Sequence, residues 1–473
     1  MQRWLTMSGT ALARAIRTGD VRAREVVAAH IAQIRATEPR VNAVVADRFD
    51  AALDEADEAD ACAGNGGGDL PPFHGVPCTV KECIAVEGMP WSAGLVARRA
   101  VVADTSATTA ERLRAAGAIN LGATNISELC MWMESSNRIY GRTRNPYDET
   151  RTCGGSSGGQ GAVVGAGGVP FGIGADIGGS IRMPAFFCGV FGHKPTGGLV
   201  PTTGHFPAAE NEAGRYLTLG PIARRAEDLM PLLRIIAGPD GFDGHCGAWE
   251  LGDPATVSLA DLEVHDVAHP THREMSRAKA RAVTALADAG ARVRPFAHAQ
   301  FRRGFEIWSA MLDAATDTRF SVLLGNGRRV RPLFEVPRLI AGRSPHTVAA
   351  LGLAALEVLP ALMPKRARAL IEVGQRLREQ LVELLGDRGV LVFPSFPTLA
   401  PKHHHLLARP FDAGYTAVFN VMELPVTQVP LGLSEQGLPL GAQVVAGPGR
   451  DHLAIAVALE LERAFGGWVP PGN

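Results

Sequence analysis

Apolar positions along the chain repeat with two periods. Val26, Val27, Ile31 and Ile34 recur at helical spacing and predict a helix over Ala23–Thr37 that Pro39 ends. Ser8–Gly19 reads as an amphipathic helix before it and Asp47–Ala63 as an alanine-rich acidic helix after it, followed by a loop at Gly64–Pro72. Val76, Cys78 and Val80 alternate in a strand that stops at Lys81. Thr108 and Glu111 frame a capping box that opens a helix closed by Gly117, and Ala118–Thr124 is the next strand. Strand alternating with helix predicts βαβ units, an α/β fold and a mostly parallel sheet.

The pattern changes at Cys153–Thr196. From Gly154 to Gly192 there are 14 Gly in 39 residues, against 54 in the whole chain. Apolar residues are interleaved and no Gly-X-Y period exists, so the stretch is neither linker nor collagen. It predicts a short packed helix at Gln160–Gly165, a buried strand at Val169–Gly174 and a helix over Ser180–Phe187, with Pro184 near its start. Ser180 then sits on a strand-to-helix turn. The N–H groups of Ile177, Gly178, Gly179 and Ser180 could converge there, unpaired, to hold an oxyanion. The competing reading is a glycine-rich packing turn.

GGSSGG at Gly154–Gly159 and ADIGGSIRMPAFFCGVFGHKPT at Ala175–Thr196 resemble the core of the amidase signature family, in the branch that contains fatty acid amide hydrolases. Ser156 and Ser180 lie 24 positions apart, as that family's two catalytic serines do. HGVPCTVKE at His74–Glu82 resembles the segment that carries its catalytic lysine, at the position of Lys81. The resemblance implies a single α/β/α domain around a large mixed, mostly parallel sheet. It also implies a Ser-Ser-Lys relay: Lys81 as general base, Ser156 as proton bridge, Ser180 as nucleophile and an acyl-enzyme intermediate. A lysine can serve as base only when neutral, and burial disfavours the charged form. Further implications are a cis Gly155–Ser156 peptide, Ser157 hydrogen-bonded in support of Ser156, and Asp176 and Arg182 bracing the nucleophile's turn.

Cys130, Met131 and Trp132, with Met133, read equally as core or, by the same resemblance, as acyl-pocket lining. Gly220–Ile236 reads as an amphipathic helix that also matches. The likeness fades over about 240–375, a largely helical region in which Val348–Met363 is apolar all round except Glu357. It returns at Gly389–Pro397 and runs to a C-terminal helix.

Composition narrows the partners. The 473 residues are 46% hydrophobic and 20% charged, with a net charge of −1, so no basic field recommends nucleic acid. The N-terminal MQRWLTMSGT lacks a signal-peptide core, and no apolar run reaches the roughly 18 residues of a spanning helix. Seven scattered Cys fit reduced thiols in a cytoplasm. The adjacent His403, His404 and His405 diverge and read as a solvated loop rather than a metal site, no nucleotide fingerprint is present, and no cofactor is expected. The expected partner is a small-molecule amide, with room for peripheral membrane contact, in a monomer or homodimer. Three functions compete: a serine amidase acting on apolar acyl amides, or else on small or aryl amides; an α/β-hydrolase with Ser157 in its G-x-S-x-G elbow; and a subunit of an amidotransferase-type complex.

Overall fold

The structure is a computed structural model that describes residues 3–64, 69–357 and 363–472. Eleven strands form one mixed sheet: β1 (Val44–Asp47), β2 (Val76–Lys81), β3 (Ala118–Thr124), β6 (Phe171–Asp176), β7 (Phe191–Lys194), β8 (Thr218–Ala223), β9 (Glu263–Val267), β10 (Arg292–Phe296), β11 (Gly389–Pro394), β12 (Val426–Leu433) and β13 (Pro439–Ala446). A separate hairpin pairs β4 (Ser136–Asn137) with β5 (Gly141–Arg142). The sheet order is β1-β3-β2-β6-β8-β7-β12-β13-β11-β9-β10. Parallel pairing joins β3, β2 and β6 on one side and β11, β9 and β10 on the other. Antiparallel ladders through β8, β7, β12 and β13 connect these two blocks. Strands β2, β6, β8, β11 and β13 are buried along their whole length, as expected of strands covered by helices on both faces.

The predicted elements shift where local chemistry competes. Pro39 does not end its helix, which runs Ala23–Val41. In the last turn a missing N–H costs a single hydrogen bond, and the stop comes instead at Asn42, left-handed at φ 54. The capping box does not form: Ala107 holds the cap position without a side-chain bond, and Thr108 donates instead to Asp240 Oδ2 at 2.6 Å. The strand predicted at Val169–Gly174 begins at Phe171, because Pro170 has no N–H for the ladder, and so carries Asp176 to the strand's end. The helix predicted at Ser180–Phe187 is Arg182–Phe187, leaving Ser180 in the turn before it.

Gly220–Ile236 divides into strand β8 and a helix at Leu229–Ile236. A short apolar run between two partner strands is indistinguishable from a helical stripe by periodicity alone. Val348–Leu356 is helical as predicted, but residues 358–362 of that segment, like residues 65–68 of the predicted loop, lie outside the described residues.

Candidate active site

Three structures build the site: the C-terminal end of β2, the loop before the helix Gly158–Gly165, and the turn after β6. Lys81 ends β2, fully buried, and its Nζ donates to Ser156 Oγ at 2.7 Å, with the Ala175 carbonyl at 3.4 Å. The Gly155–Ser156 peptide is cis. Ser156 is held from behind by Ser135, whose Oγ donates to the Ser156 carbonyl at 3.0 Å and accepts the Gly158 N–H at 2.8 Å. Ser180 lines the same cavity as Lys81 and Ser156. The chain of side-chain hydrogen bonds from Lys81 stops at Ser156 and does not reach Ser180 among the described residues.

The turn that carries Ser180 is organised by a buried ion pair. Asp176 accepts the Gly179 N–H at 2.7 Å and the Ile181 N–H at 3.0 Å. Arg182 meets both of its carboxylate oxygens at 3.0 Å and spends its remaining donors on the Thr416 carbonyl, Gln443 and Asn420. Burial pushes the Asp176 carboxyl up, but the Arg182 charge and hydrogen bonds outweigh it and hold the group well below the usual carboxylate range. Next to this pair Lys194 is fully buried. Desolvation, with the Arg182 charge adding to it, brings its amine down to about 7.

Two expected roles change. The Gly179 N–H is not free for an oxyanion, because the Asp176 side chain caps the turn three residues on and takes it. Ile177, Gly178 and Ser180 keep N–H groups without protein acceptors among the described residues, on a turn whose carbonyls are gripped by Trp308 (Nε1 to Ile177 O, 2.8 Å) and Thr416 (Oγ1 to Gly178 O, 2.8 Å). Ser157 does not support Ser156 by hydrogen bonding. Its Oγ is bound to the backbone of Ala175, donating to the carbonyl at 3.2 Å and accepting the N–H at 3.3 Å, because the helix start presses it against β6. Fully buried and absent from the cavity lining, Ser157 does not occupy an exposed nucleophile elbow.

The cavity measures about 940 Å³. Cys130, Met131 and Trp132 line it, and Val348, Leu353 and Leu356 line it from the helix Val348–Leu356, so both apolar segments singled out in the sequence meet in one space. Trp308, Phe305 and Phe411 complete its apolar walls. Sequence reasoning missed Ser135, Trp308, Thr416 and Asn420, which act through backbone groups and leave no motif. It also missed His205, on the cavity wall beside Cys83. The three histidines at 403–405 do not converge: His403 bonds Glu134, and His404 accepts from Arg142 at 2.7 Å.

A buried lysine–serine contact beside a second serine, at the floor of an apolar cavity in an α/β/α fold, belongs to an amide hydrolase. Residues 25–455 match the Amidase family, the amidase-signature enzymes, and the chain belongs to it. The chain is 45% identical over 481 residues to Fatty-acid amide hydrolase 2-B of Danio rerio, across 99% of this chain and 91% of that protein. It is 44% identical over 490 residues to Fatty-acid amide hydrolase 2 of Homo sapiens, with 99% and 91% covered. Among solved structures, the native peptide amidase of Stenotrophomonas maltophilia matches with a TM-score of 0.80 at 25% identity, over 99% of both chains.

Proposed function

We propose that this amidase is a serine hydrolase of amides with long apolar acyl groups, fatty-acid amides among them, working through Lys81, Ser156 and Ser180. Ser180 Oγ attacks the amide carbonyl as its proton passes through Ser156 to Lys81. The N–H groups of Ile177, Gly178 and Ser180 stabilise the oxyanion. The proton returns through Ser156 to the leaving amine, leaving an acyl-enzyme. Water then attacks the acyl carbonyl by the same proton route and releases the acid.

The observation that carries the reading is the 2.7 Å contact of Lys81 Nζ with Ser156 Oγ at the base of the apolar cavity. No carboxylate pairs with Lys81 among the described residues, which suits a lysine that must accept a proton. The acyl preference is supported by the convergence of Met131, Trp132, Leu353 and Leu356 on that cavity and by the names of the fatty-acid amide hydrolase relatives.

Two measurements test it. A fluorophosphonate probe is expected to label the protein at Ser180, located by peptide mass spectrometry; labelling at Ser157 refutes the assignment. In a series of p-nitroanilides from acetyl to long acyl, each buried CH₂ contributes up to about 0.8 kcal/mol, about fourfold in kcat/KM, until the cavity is full. A flat or falling series would transfer the protein to small or aryl amides.

The helix Pro332–Ile340 packs on the cavity helix Val348–Leu356 and exposes Leu333 (84%), Phe334 (70%) and Ile340 (82%). Such a patch supports peripheral contact with a lipid surface, from which apolar substrates would enter. No described helix is long and apolar enough to cross a membrane. Co-sedimentation with phosphatidylcholine vesicles, lost in Leu333→Ser/Ile340→Ser, is the check, with analytical ultracentrifugation to separate monomer from homodimer. All seven cysteines are free thiols, which supports work in a reducing cytoplasm.

A further inference from the structure

The cavity wall beside Lys81 carries a second cluster that amide hydrolysis leaves unused. Cys83, Cys130 and His205 each bring one ligand atom to within 4.8 Å of the others, and all three are buried. Cys83 Sγ lies 3.3 Å from His205 Nε2. On the opposite side of the ring Nδ1 lies 2.8 Å from the Pro207 carbonyl, which can only accept. Nδ1 therefore carries the proton, and Nε2 turns its lone pair toward the sulfur. That is the tautomer a metal-binding imidazole needs, fixed by the backbone contact that such ligands use.

The three residues come from three segments, and main-chain bonds lock those of Cys83 and His205 in register. Phe206 N–H donates to the Cys83 carbonyl at 2.9 Å, and Ile84 bridges His205 in antiparallel fashion. Cys130 N–H donates to Ser127 at 3.0 Å. Cys130 stands at φ 60 directly after Leu129 at φ 53, left-handed conformations that residues with a Cβ seldom adopt. A packed core has no need of two successive residues in that region, whereas functional sites often hold them.

We infer that Cys83, Cys130 and His205 form a binding site for a thiophilic d¹⁰ cation, zinc(II) being the representative case, in the cavity wall next to Lys81. Two thiolates and one imidazole are a zinc donor set that leaves a fourth position open. On binding, each thiol gives its proton to solvent as its sulfur bonds the metal, and His205 donates its Nε2 lone pair. Cys130 and His205 line the cavity while Cys83 lies behind them, so the fourth ligand is a water or carboxylate from the cavity. A cation held there narrows the substrate space beside Lys81. That consequence rests on the proposed hydrolytic mechanism; the binding itself does not.

The test uses the full chain, reduced with a phosphine, which leaves the thiols free without competing as a thiol. Titration with Zn²⁺ against a chromogenic zinc indicator is expected to show one equivalent bound per chain. Co²⁺ in its place is expected to produce thiolate-to-cobalt charge-transfer absorption in the near ultraviolet. Cys83→Ser and Cys130→Ser should each weaken zinc binding by at least about tenfold, while His403→Ala/His404→Ala should not. The wild-type cobalt spectrum decides the question even if a cysteine variant fails to fold. No charge-transfer band, or zinc binding undiminished in a folded Cys83→Ser variant, overturns the site. Neither readout involves turnover, so failure of the metal site and failure of the amidase mechanism are separately visible.

Discussion

Asp176 is the residue whose loss reports most directly on how the Ser180 turn is held. Replacing it by Asn keeps the shape and one acceptor but removes the charge that faces Arg182. Both side chains are fully buried, and both guanidinium bonds to the carboxylate are 3.0 Å long. Leaving one partner of a buried pair without its counter-charge costs about 3–5 kcal/mol. At about 2.1 cal/mol/K of unfolding entropy per residue, a chain of this length carries about 1 kcal/mol/K, so Tm should fall by about 3–5 °C. Arg182→Met in the same chain removes the stranded charge and should restore part of the loss. It should not restore all of it, because the Thr416 carbonyl, Gln443 and Asn420 lose their donor.

Activity should behave differently from stability. The Gly179 and Ile181 N–H groups that Asp176 fixes set the position of Ser180, and misplacement of a reacting atom by about 1 Å can cost 10²-fold, so the double variant should stay slow. The sign with pH follows from linkage. The folded carboxyl is held below its unfolded value of 3.8, so its stabilisation is full above that value and is lost as pH falls below it through the lower folded one. Asp176→Asn should therefore flatten the acid limb of a stability–pH curve. Differential scanning calorimetry and fluorophosphonate labelling rates measure both quantities. A single variant within about 1 kcal/mol of the parent, or a double variant no more stable than Asp176→Asn, would refute the ion-pair account.

Lys81→Ala should lower kcat/KM for a p-nitroanilide by about 10²–10⁴-fold, and Lys81→Arg should not rescue it, because a guanidinium stays protonated; an active arginine variant would remove Lys81 as base. Gly155→Ala should reduce folded yield and labelling together, since a Cβ there would meet the Trp132 carbonyl at 2.4 Å and the Glu134 N–H at 2.7 Å, neither of which can swing away; soluble, fully active Gly155→Ala would contradict this. Lys194 titrates at about 7 when folded and near 10.5 when unfolded, so the unfolded state binds more protons between those values and stability should climb with pH across that window. Urea unfolding of Lys194→Met at pH 7 and pH 9 should show a smaller rise than the parent.

What could be read in advance and what could not divides along a physical line. Alternation marks the strand that Lys81 ends and glycine-flanked turns mark Ser156 and Ser180, but that these three work together is implied only by the resemblance to the amidase signature family. Thr416, Asn420 and Trp308 lie more than 100 residues beyond Ser180 and grip the site by bonding backbone carbonyls; any residue with a donor at the right place would do, so no local pattern announces them. The Gly179 assignment failed for a related reason. Counting N–H groups on a turn says how many donors exist, but not which of them a neighbouring carboxylate has already taken.

The glycine-rich stretch has two readings, close packing or approach to a ligand, and close packing accounts for several of its positions. A Cβ on Gly159 would lie 2.3 Å from the Asn125 N–H, and one on Gly161 would lie 2.8 Å from the Pro184 carbonyl. There the helix Gly158–Gly165 is wedged between backbone segments, and glycine is required for packing. Gly178 faces the cavity, where a Cβ would meet the Trp308 ring at 3.2 Å and Ala417 at 3.7 Å, and Gly179 takes φ +115 with Thr416 Oγ1 2.0 Å from where its Cβ would stand. Of the two turn glycines, Gly178 keeps an N–H without a protein acceptor among the described residues, while the Gly179 N–H is held by Asp176. The high glycine content thus serves both a tightly wedged helix and a turn in which Gly179 takes a left-handed φ against Thr416, placed 20 residues apart in one chain.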